Sequence, residues 1–268
     1  MAKPLSAAQR QAHILERISS DERVAAAGLA ESLSVSEMTI RRDLADLERL
    51  GHLKRIRGGA VSGFGRGYEP PFTLRQSQAA GAKRRIAEAA AAMVEEGDSL
   101  AIDVGSTALE IARQLSGRRG LTVVTPSIRV VNTLIRNTDI RLIVAGGMVR
   151  PGEESLVGEL AQQAFKGLFV DKLFLAVGGL DVLGGLTEYN WDDALVKKAM
   201  VGSAKRVILT VDASKFGRVA FAKVAELADI HVVITNREPP AGLARRLAEA
   251  RVTVVVTGDG GDSEHAAA

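Results

Sequence analysis

The residues best suited to chemistry gather in five short polar loops and one arginine pair. Asp103-Val104-Gly105-Ser106-Thr107 places a carboxylate, a permissive glycine and two hydroxyls where a helix is expected to begin. Backbone amides at a helix N-terminus attract anions, so the run is a candidate anion cradle; alone, it could equally be an ordinary hydroxyl cap. Ala145-Gly146-Gly147-Met148-Val149-Arg150 is a glycine turn followed by a cation that could meet a phosphate or carboxylate. Gly178-Gly179-Leu180-Asp181 and Gly184-Gly185-Leu186-Thr187-Glu188-Tyr189-Asn190 bring two more carboxylates, and Asp212-Ala213-Ser214-Lys215-Phe216-Gly217 a lysine. Any of the carboxylates Asp103, Asp181 and Glu188 could instead cap its own loop. The pair Arg41-Arg42 has the chemistry for phosphates or for guanine edges.

These loops need a scaffold, and the pattern around them supplies one. Apolar, β-branched runs at Leu100–Val104, Leu121–Thr125, Ile140–Ala145, Lys172–Val177, Arg206–Val211, Ile230–Thr235 and Val252–Thr257 read as strands. Helical segments are expected between them near 106–116, 127–136, 160–167, 192–203 and 241–249. Continuous apolar strands alternating with helices predict a mostly parallel sheet covered on both faces. Ligands of such sheets bind beyond the carboxyl ends of the strands, and the five polar loops fall there. One loop would mean little, but five in succession predict a ligand pocket. Within the helix at 192–203, Lys197 and Lys198 are expected to face solvent more often than not, which leaves one of the two as a weaker candidate for ligand contact. Lys83-Arg84-Arg85 is expected to be a solvated helix start, with a second phosphate contact as the lesser alternative, and the single tryptophan, Trp191, either packs on a ligand or fills the core.

The first sixty residues follow another plan. Ser6 can cap a helix whose Ile14, Leu15 and Ile18 share a face. A second helix is expected over Val24–Leu33, then a turn at Ser34-Val35-Ser36, and a third helix from Glu37 to about Leu50 with Ile40, Leu44 and Leu47 inward. Gly51 to Val61 reads as a two-stranded hairpin with a Gly-Gly bend. Two short helices, a tight turn and a basic hairpin make a winged helix-turn-helix. Its expected DNA-binding residues are Ser36, Thr39, Arg41 and Arg42 on the third helix, with Lys54, Arg55 and Arg57 on the wing. A Gly- and Pro-rich stretch from Ser62 to Pro71 then marks a boundary. The expected division is a DNA-binding domain at 6–62, a linker at 63–78, an α/β domain at 79–257 and a disordered tail at 258–268.

Composition narrows the classes. The 268 residues are 46% hydrophobic and 25% charged, as in soluble globular proteins, and contain no cysteine. Disulfides, thiolate metal sites and cysteine nucleophiles are thereby excluded. His13, His52, His231 and His265 lack metal-ligand spacing, so no metal is expected. No apolar run is long enough for a membrane helix and the start lacks a signal peptide's apolar core, so a cytoplasmic protein is expected. Residues 1–67 hold 11 Lys or Arg against 8 Asp or Glu, while the rest hold 24 of each. The entire basic excess sits beside the expected DNA-binding surface, where it would attract a polyanion.

Leu33-Ser34-Val35-Ser36-Glu37-Met38-Thr39-Ile40-Arg41-Arg42-Asp43-Leu44, followed by Arg57-Gly58-Gly59-Ala60, resembles the winged helix-turn-helix of the DeoR family of bacterial regulators. Ile102-Asp103-Val104-Gly105-Ser106-Thr107, Ala145-Gly146-Gly147, Gly178-Gly179-Leu180-Asp181, Gly185-Leu186-Thr187-Glu188, Val196-Lys197-Lys198-Ala199-Met200 and Ser214-Lys215-Phe216-Gly217 resemble that family's sensor domain. The resemblance spans residues 8 to 257. It implies a sensor fold similar to ribose-5-phosphate isomerase and a phosphorylated sugar as effector, with no cofactor. It further implies that Gly105, Ser106, Thr107 and Lys215 hold the phosphate while Asp103, Asp181 and Glu188 face sugar hydroxyls. Gly146, Gly147, Arg150 and Gly179 complete the expected effector site. The related isomerases carry an Asp-Gly-Ala-Asp loop where this chain has Gly178-Gly179-Leu180-Asp181, which favours a sensor over a working isomerase. The expected protein is a repressor of a sugar-metabolism operon that binds operator DNA as a homodimer or homotetramer. A working isomerase and a purely architectural DNA-binding protein are the alternatives.

Overall fold

The chain divides into two compact units, Met1–Gln78 and Ala79–Ala268, and the structure, a computed structural model, describes residues 5–21, 23–49, 52–61 and 65–258. The tail expected at 258–268 lies outside them except for Gly258.

In the first unit, α1 (Ala7–Asp21), β1 (Arg23–Ala25), α2 (Ala26–Ser32) and α3 (Glu37–Arg49) precede β2 (Lys54–Ile56), β3 (Gly59–Val61) and α4 (Phe72–Ser77). The apolar stripes meet as their spacing requires: Ile14, Leu15 and Ile18 bury against Leu29, Leu33, Ile40, Leu44 and Leu47. Two expectations need correction. The helix expected from Val24 starts at Ala26, and the hairpin expected over Gly51–Val61 is part of a three-stranded antiparallel sheet, order β1-β3-β2. Val24 pairs with Ala60 and is buried, a better use of a β-branched residue than an uncapped helix start. Gly59 makes this possible, because a Cβ there would lie 2.0 Å from the Val24 carbonyl oxygen. Beyond the wing, the Pro- and Gly-rich segment is more ordered than its composition suggests. Phe72 is buried, Leu74 packs against the helical core, and Arg75 pairs with Glu69 at 3.0 Å. Tyr68 and His52 share a 2.5 Å hydrogen bond.

The second unit runs α5 (Ala80–Ala92), β4 (Ser99–Ile102), α6 (Ser106–Leu115), β5 (Leu121–Thr125), α7 (Ile128–Leu134), β6 (Ile140–Val144), β7 (Met148–Arg150), β8 (Ser155–Val157), α8 (Glu159–Lys166) and β9 (Val170–Leu175). It continues with β10 (Gly179–Asp181), β11 (Gly185–Glu188), α9 (Trp191–Ser203), β12 (Ala204–Thr210), β13 (Ala222–Ala225), β14 (Val232–Thr235), α10 (Ala241–Glu249) and β15 (Thr253–Val256). The seven expected strands form one sheet, order β15-β14-β12-β9-β4-β5-β6, with every pairing parallel. Alternate residues face opposite cores. Leu100, Ile102 and Phe174 pack with α5 and α6, while Ala101, Leu173 and Leu175 pack toward α8 and α9. The β7–β8 hairpin and the small antiparallel sheet β10-β11-β13 were not expected from the sequence. Their strands are three or four residues long, too short to show a period.

The strand order fixes where a ligand could enter. From β4 the chain builds outward to β5 and β6, then returns to β4's other side with β9 and builds toward β15. The order therefore reverses between β4 and β9, which opens a crevice at their carboxyl ends.

Candidate functional site

Two surfaces carry the polar chemistry, one in each unit. In the first, Ser36 caps α3: its hydroxyl accepts from the Thr39 amide at 3.1 Å and lies 2.9 Å from the Thr39 hydroxyl. Arg41 and Arg42 are exposed on the first half of α3. Arg41 pairs with Glu37 one turn back at 2.9 Å, a contact between exposed groups that a phosphate could replace at little cost. Lys54 and Arg57 stand exposed on the wing. Arg55 is tied down: its guanidinium meets Glu48 at 2.6 Å and its amide donates to the same carboxylate at 2.8 Å. These two contacts, the amide first, hold the Glu48 carboxyl below its usual range. They also fasten wing to helix, so Arg55 sets the wing's position. Behind this face, Arg10 of α1 makes two bonds to the buried Asp43 of α3, at 2.8 and 3.2 Å. The Asp43 hydrogen bond raises the Arg10 pKa further above its already high value.

In the second unit, ionic groups gather at the carboxyl ends of β4 and β9. Asp103, directly after β4, is 1% exposed. Its Oδ2 accepts from the Ala176 amide at 2.9 Å and from the Lys197 ammonium. Lys197 is itself 2% exposed, donates to the Ala176 carbonyl at 2.9 Å, and lies 3.3 Å from Glu188 Oε2. Burial pulls the Lys197 pKa down, but Asp103 and Glu188 more than offset this and keep it protonated. Next to Asp103, Gly105 takes φ +104, which L-residues rarely adopt, and opens α6 with no side-chain cap. Ser106 and Thr107 are buried in its first turn.

The rim extends from there through pairwise contacts. Tyr189 follows Glu188; its ring packs so closely on Gly178 that a Cβ there would lie 2.7 Å from it. The Lys215 ammonium sits 5.9 Å from the centre of that ring. Beside Lys215, the buried Asp212 would be pushed up by desolvation, but Lys215 and Lys83 hold it below the usual carboxylate range. On the other flank Arg150 meets Asp193 of α9 at 2.5 Å.

The expected site residues thus divide. Asp103 and Glu188 come together through Lys197, Gly105, Ser106 and Thr107 adjoin them, and Lys215 lies along the same rim. Asp181 is occupied with its own turn, accepting from the Leu183 and Gly184 amides at 2.8 Å each; the Gly184 bond above all lowers its pKa. Gly147 and Gly179 sit where a Cβ would lie 2.4 Å from the Val157 oxygen and 2.2 Å from the Arg218 oxygen, respectively. Close backbone packing accounts for both glycines. Gly146 is exposed at the foot of the β7–β8 hairpin. Trp191 does not fill the core: it is 53% exposed, with Lys198 stacked 5.7 Å from its ring.

Lys197 and Lys83 were expected to be solvated, and both are buried. The sequence did hold a signal. In α9 the buried positions Asp193, Val196, Lys197 and Met200 follow helical spacing, and in α5 Lys83 shares a stripe with Ile86, Ala87 and Ala90. A lysine on an apolar stripe needs a buried partner, whereas Lys198 falls off the stripe.

Comparison with known proteins agrees with this layout. The family described as the DeoR C-terminal sensor domain matches residues 78–237, and the DeoR-like helix-turn-helix domain matches residues 10–63. The HTH-type transcriptional regulator GlpR of Haloferax volcanii is 35% identical over 92% of this chain and 97% of its own length. The glycerol-3-phosphate regulon repressor of Escherichia coli K12 is 32% identical over 90% of this chain and 95% of its own. Ribose 5-phosphate isomerase A from Methanocaldococcus jannaschii matches half of the chain and 53% of its own, at 18% identity and a TM-score of 0.38, too slight a likeness to carry an argument.

Proposed function

The chain belongs to the DeoR family of transcriptional regulators and is not an enzyme, and from that premise we propose that it represses a sugar-metabolism operon and is released from operator DNA by a phosphorylated sugar. The winged unit binds the operator, with Arg41 and Arg42 entering the major groove from α3 and Lys54 and Arg57 gripping phosphates from the wing. One small domain seldom gives enough specific affinity, so a dimer or tetramer places such units on repeated half-sites in the cytoplasm. The sugar phosphate occupies the rim between β4 and β9. Its anionic group meets the α6 N-terminus at Gly105, Ser106 and Thr107, with Lys215 alongside. Its hydroxyls face Asp103 and Glu188. The observation that carries this reading is the coincidence of that uncapped helix start and a buried ionic cluster at the place where the strand order reverses. The name of one relative, the glycerol-3-phosphate regulon repressor of Escherichia coli, supports it.

The test is operator binding by fluorescence anisotropy with and without sugar phosphates. Replacing Arg41 and Arg42 by alanine should abolish specific binding while ligand-induced thermal shifts persist. The slope of log affinity against log salt should flatten by about 0.9 for each phosphate no longer neutralised. Lys215→Ala should bind operator normally and ignore the ligand. A Lys215→Ala protein that still responds as wild type would refute the phosphate assignment.

A further inference from the structure

Lys197 was expected to be solvated, yet it is among the largest fully buried side chains described. Three oxygens surround its ammonium, from Asp103 after β4, the Ala176 carbonyl after β9, and Glu188 at the end of β11. Of its three N–H bonds, two go to Asp103 and the Ala176 carbonyl, and Glu188 faces it as an ion pair at 3.3 Å. The same packing leaves Asp103 asymmetric. Oδ2 takes the Ala176 amide and Lys197, while Oδ1 is buried with no hydrogen bond of good geometry; burial pushes this carboxyl up, against the pull of Lys197 and of the Ala176 and adjoining Val104 amides. A buried carboxylate oxygen left unpaired is costly, and native folds seldom tolerate one without a purpose. Charge sharpens the point. Asp103, Glu188 and Lys197 sum to one negative charge, and the nearby Asp193 is matched by Arg150. A bare anion gains nothing from such a cluster, whereas an O–H group that donates to Oδ1 gains a charge-assisted bond.

We propose that Lys197 is a positioning residue that fixes the Asp103 carboxyl group with one acceptor oxygen unengaged, so that the sensor selects phosphorylated ligands that also carry a hydroxyl group over those that carry phosphate alone. This rests on the effector reading above and adds its selectivity. Lys197 acts through Asp103 and does not touch the ligand.

The experiment measures dissociation constants of the full-length protein for inorganic phosphate, ethyl phosphate, and a panel of triose, pentose and hexose phosphates. Wild type should prefer its best hydroxylated probe over ethyl phosphate by about tenfold or more, the worth of one hydrogen bond to a charged group. Asp103→Asn keeps the volume and removes the charged acceptor; the preference should fall by about tenfold, leaving only what Glu188 contributes, with phosphate affinity unchanged or improved. Lys197→Met should lose the preference likewise. A merely structural strut would lower the melting temperature and leave the ratio of affinities intact, so the ratio is the deciding readout. If Lys197→Met folds and retains the wild-type ratio, the inference is overturned; if it does not fold, Asp103→Asn decides in the same way. A wild type that answers to none of these probes would overturn the effector reading, and this inference with it.

Discussion

Replacing Gly59 by alanine should damage the DNA-binding unit out of proportion to one methyl group. The added Cβ would lie 2.0 Å from the Val24 carbonyl oxygen and 3.1 Å from the Ala25 Cα, where ordinary contacts begin at 3.4 Å. Relief needs a backbone shift of about 1.4 Å between two strands of three residues each. Overpacking costs about 1–3 kcal/mol, and each ladder hydrogen bond broken adds about 1 kcal/mol. A total of about 3 kcal/mol follows, and in a unit this small that lowers the melting temperature by about 12–24 °C. The wing hangs from the same β1–β3 pairing, so Lys54 and Arg57 should lose their register on the phosphates. Calorimetry would follow the first unit's transition and anisotropy its operator affinity. Gly58→Ala is the control, since its φ of +82 strains any L-residue but the space beside it is open; about 1 kcal/mol is expected. If Gly59→Ala proved no worse than Gly58→Ala in melting and in affinity, the steric argument would be wrong.

Two further outcomes follow from the same unit. Asp43→Asn removes the charge that clamps α3 to α1 through Arg10 and should cost about 2 kcal/mol, visible as earlier melting with no change in ligand response from the second unit. Burial raises the Tyr68 phenol to about 12, above its ordinary 10.0. A group whose folded pKa is raised favours folding fully below its unfolded value and loses that contribution as pH rises through the folded one. The stability owed to Tyr68 should therefore decline between pH 10 and 12, and Tyr68→Phe should be flatter over that window in urea titrations.

What the sequence reveals depends on how far each residue's environment is local. The inner strands β4, β5, β9, β12 and β14 end in apolar runs buried on both faces, and Leu121–Thr125 falls where its pattern places it. The third helix is likewise legible, because Ile40, Leu44 and Leu47 repeat with its period and Ser36 caps it. By contrast, β1 exists because Gly59, thirty-odd residues away, lets the chains close together. Nothing in Arg23-Val24-Ala25 announces it. Asp181 shows the same limit at the candidate site: Asp and Gly at that spacing suit a ligand or a turn equally, and only the Leu183 and Gly184 amides decide what holds its carboxylate.

The ionic cluster is different again, because stability alone does not explain it. A buried ion pair replaced by well-packed apolar side chains often leaves a fold equally stable or more so. Asp103, Glu188 and Lys197 could be such a case, since Leu173, Leu175, Val196 and Met200 form an apolar core around α9 and β9. Charges at this spot burden the fold with desolvation and leave one carboxylate oxygen unpaired. Ion pairs such as Lys172 with Asp98 and Arg129 with Glu154 keep more contact with solvent. A cluster that is deep, costly and incomplete, seated where the strand order reverses, is best explained by a partner that arrives from outside the chain.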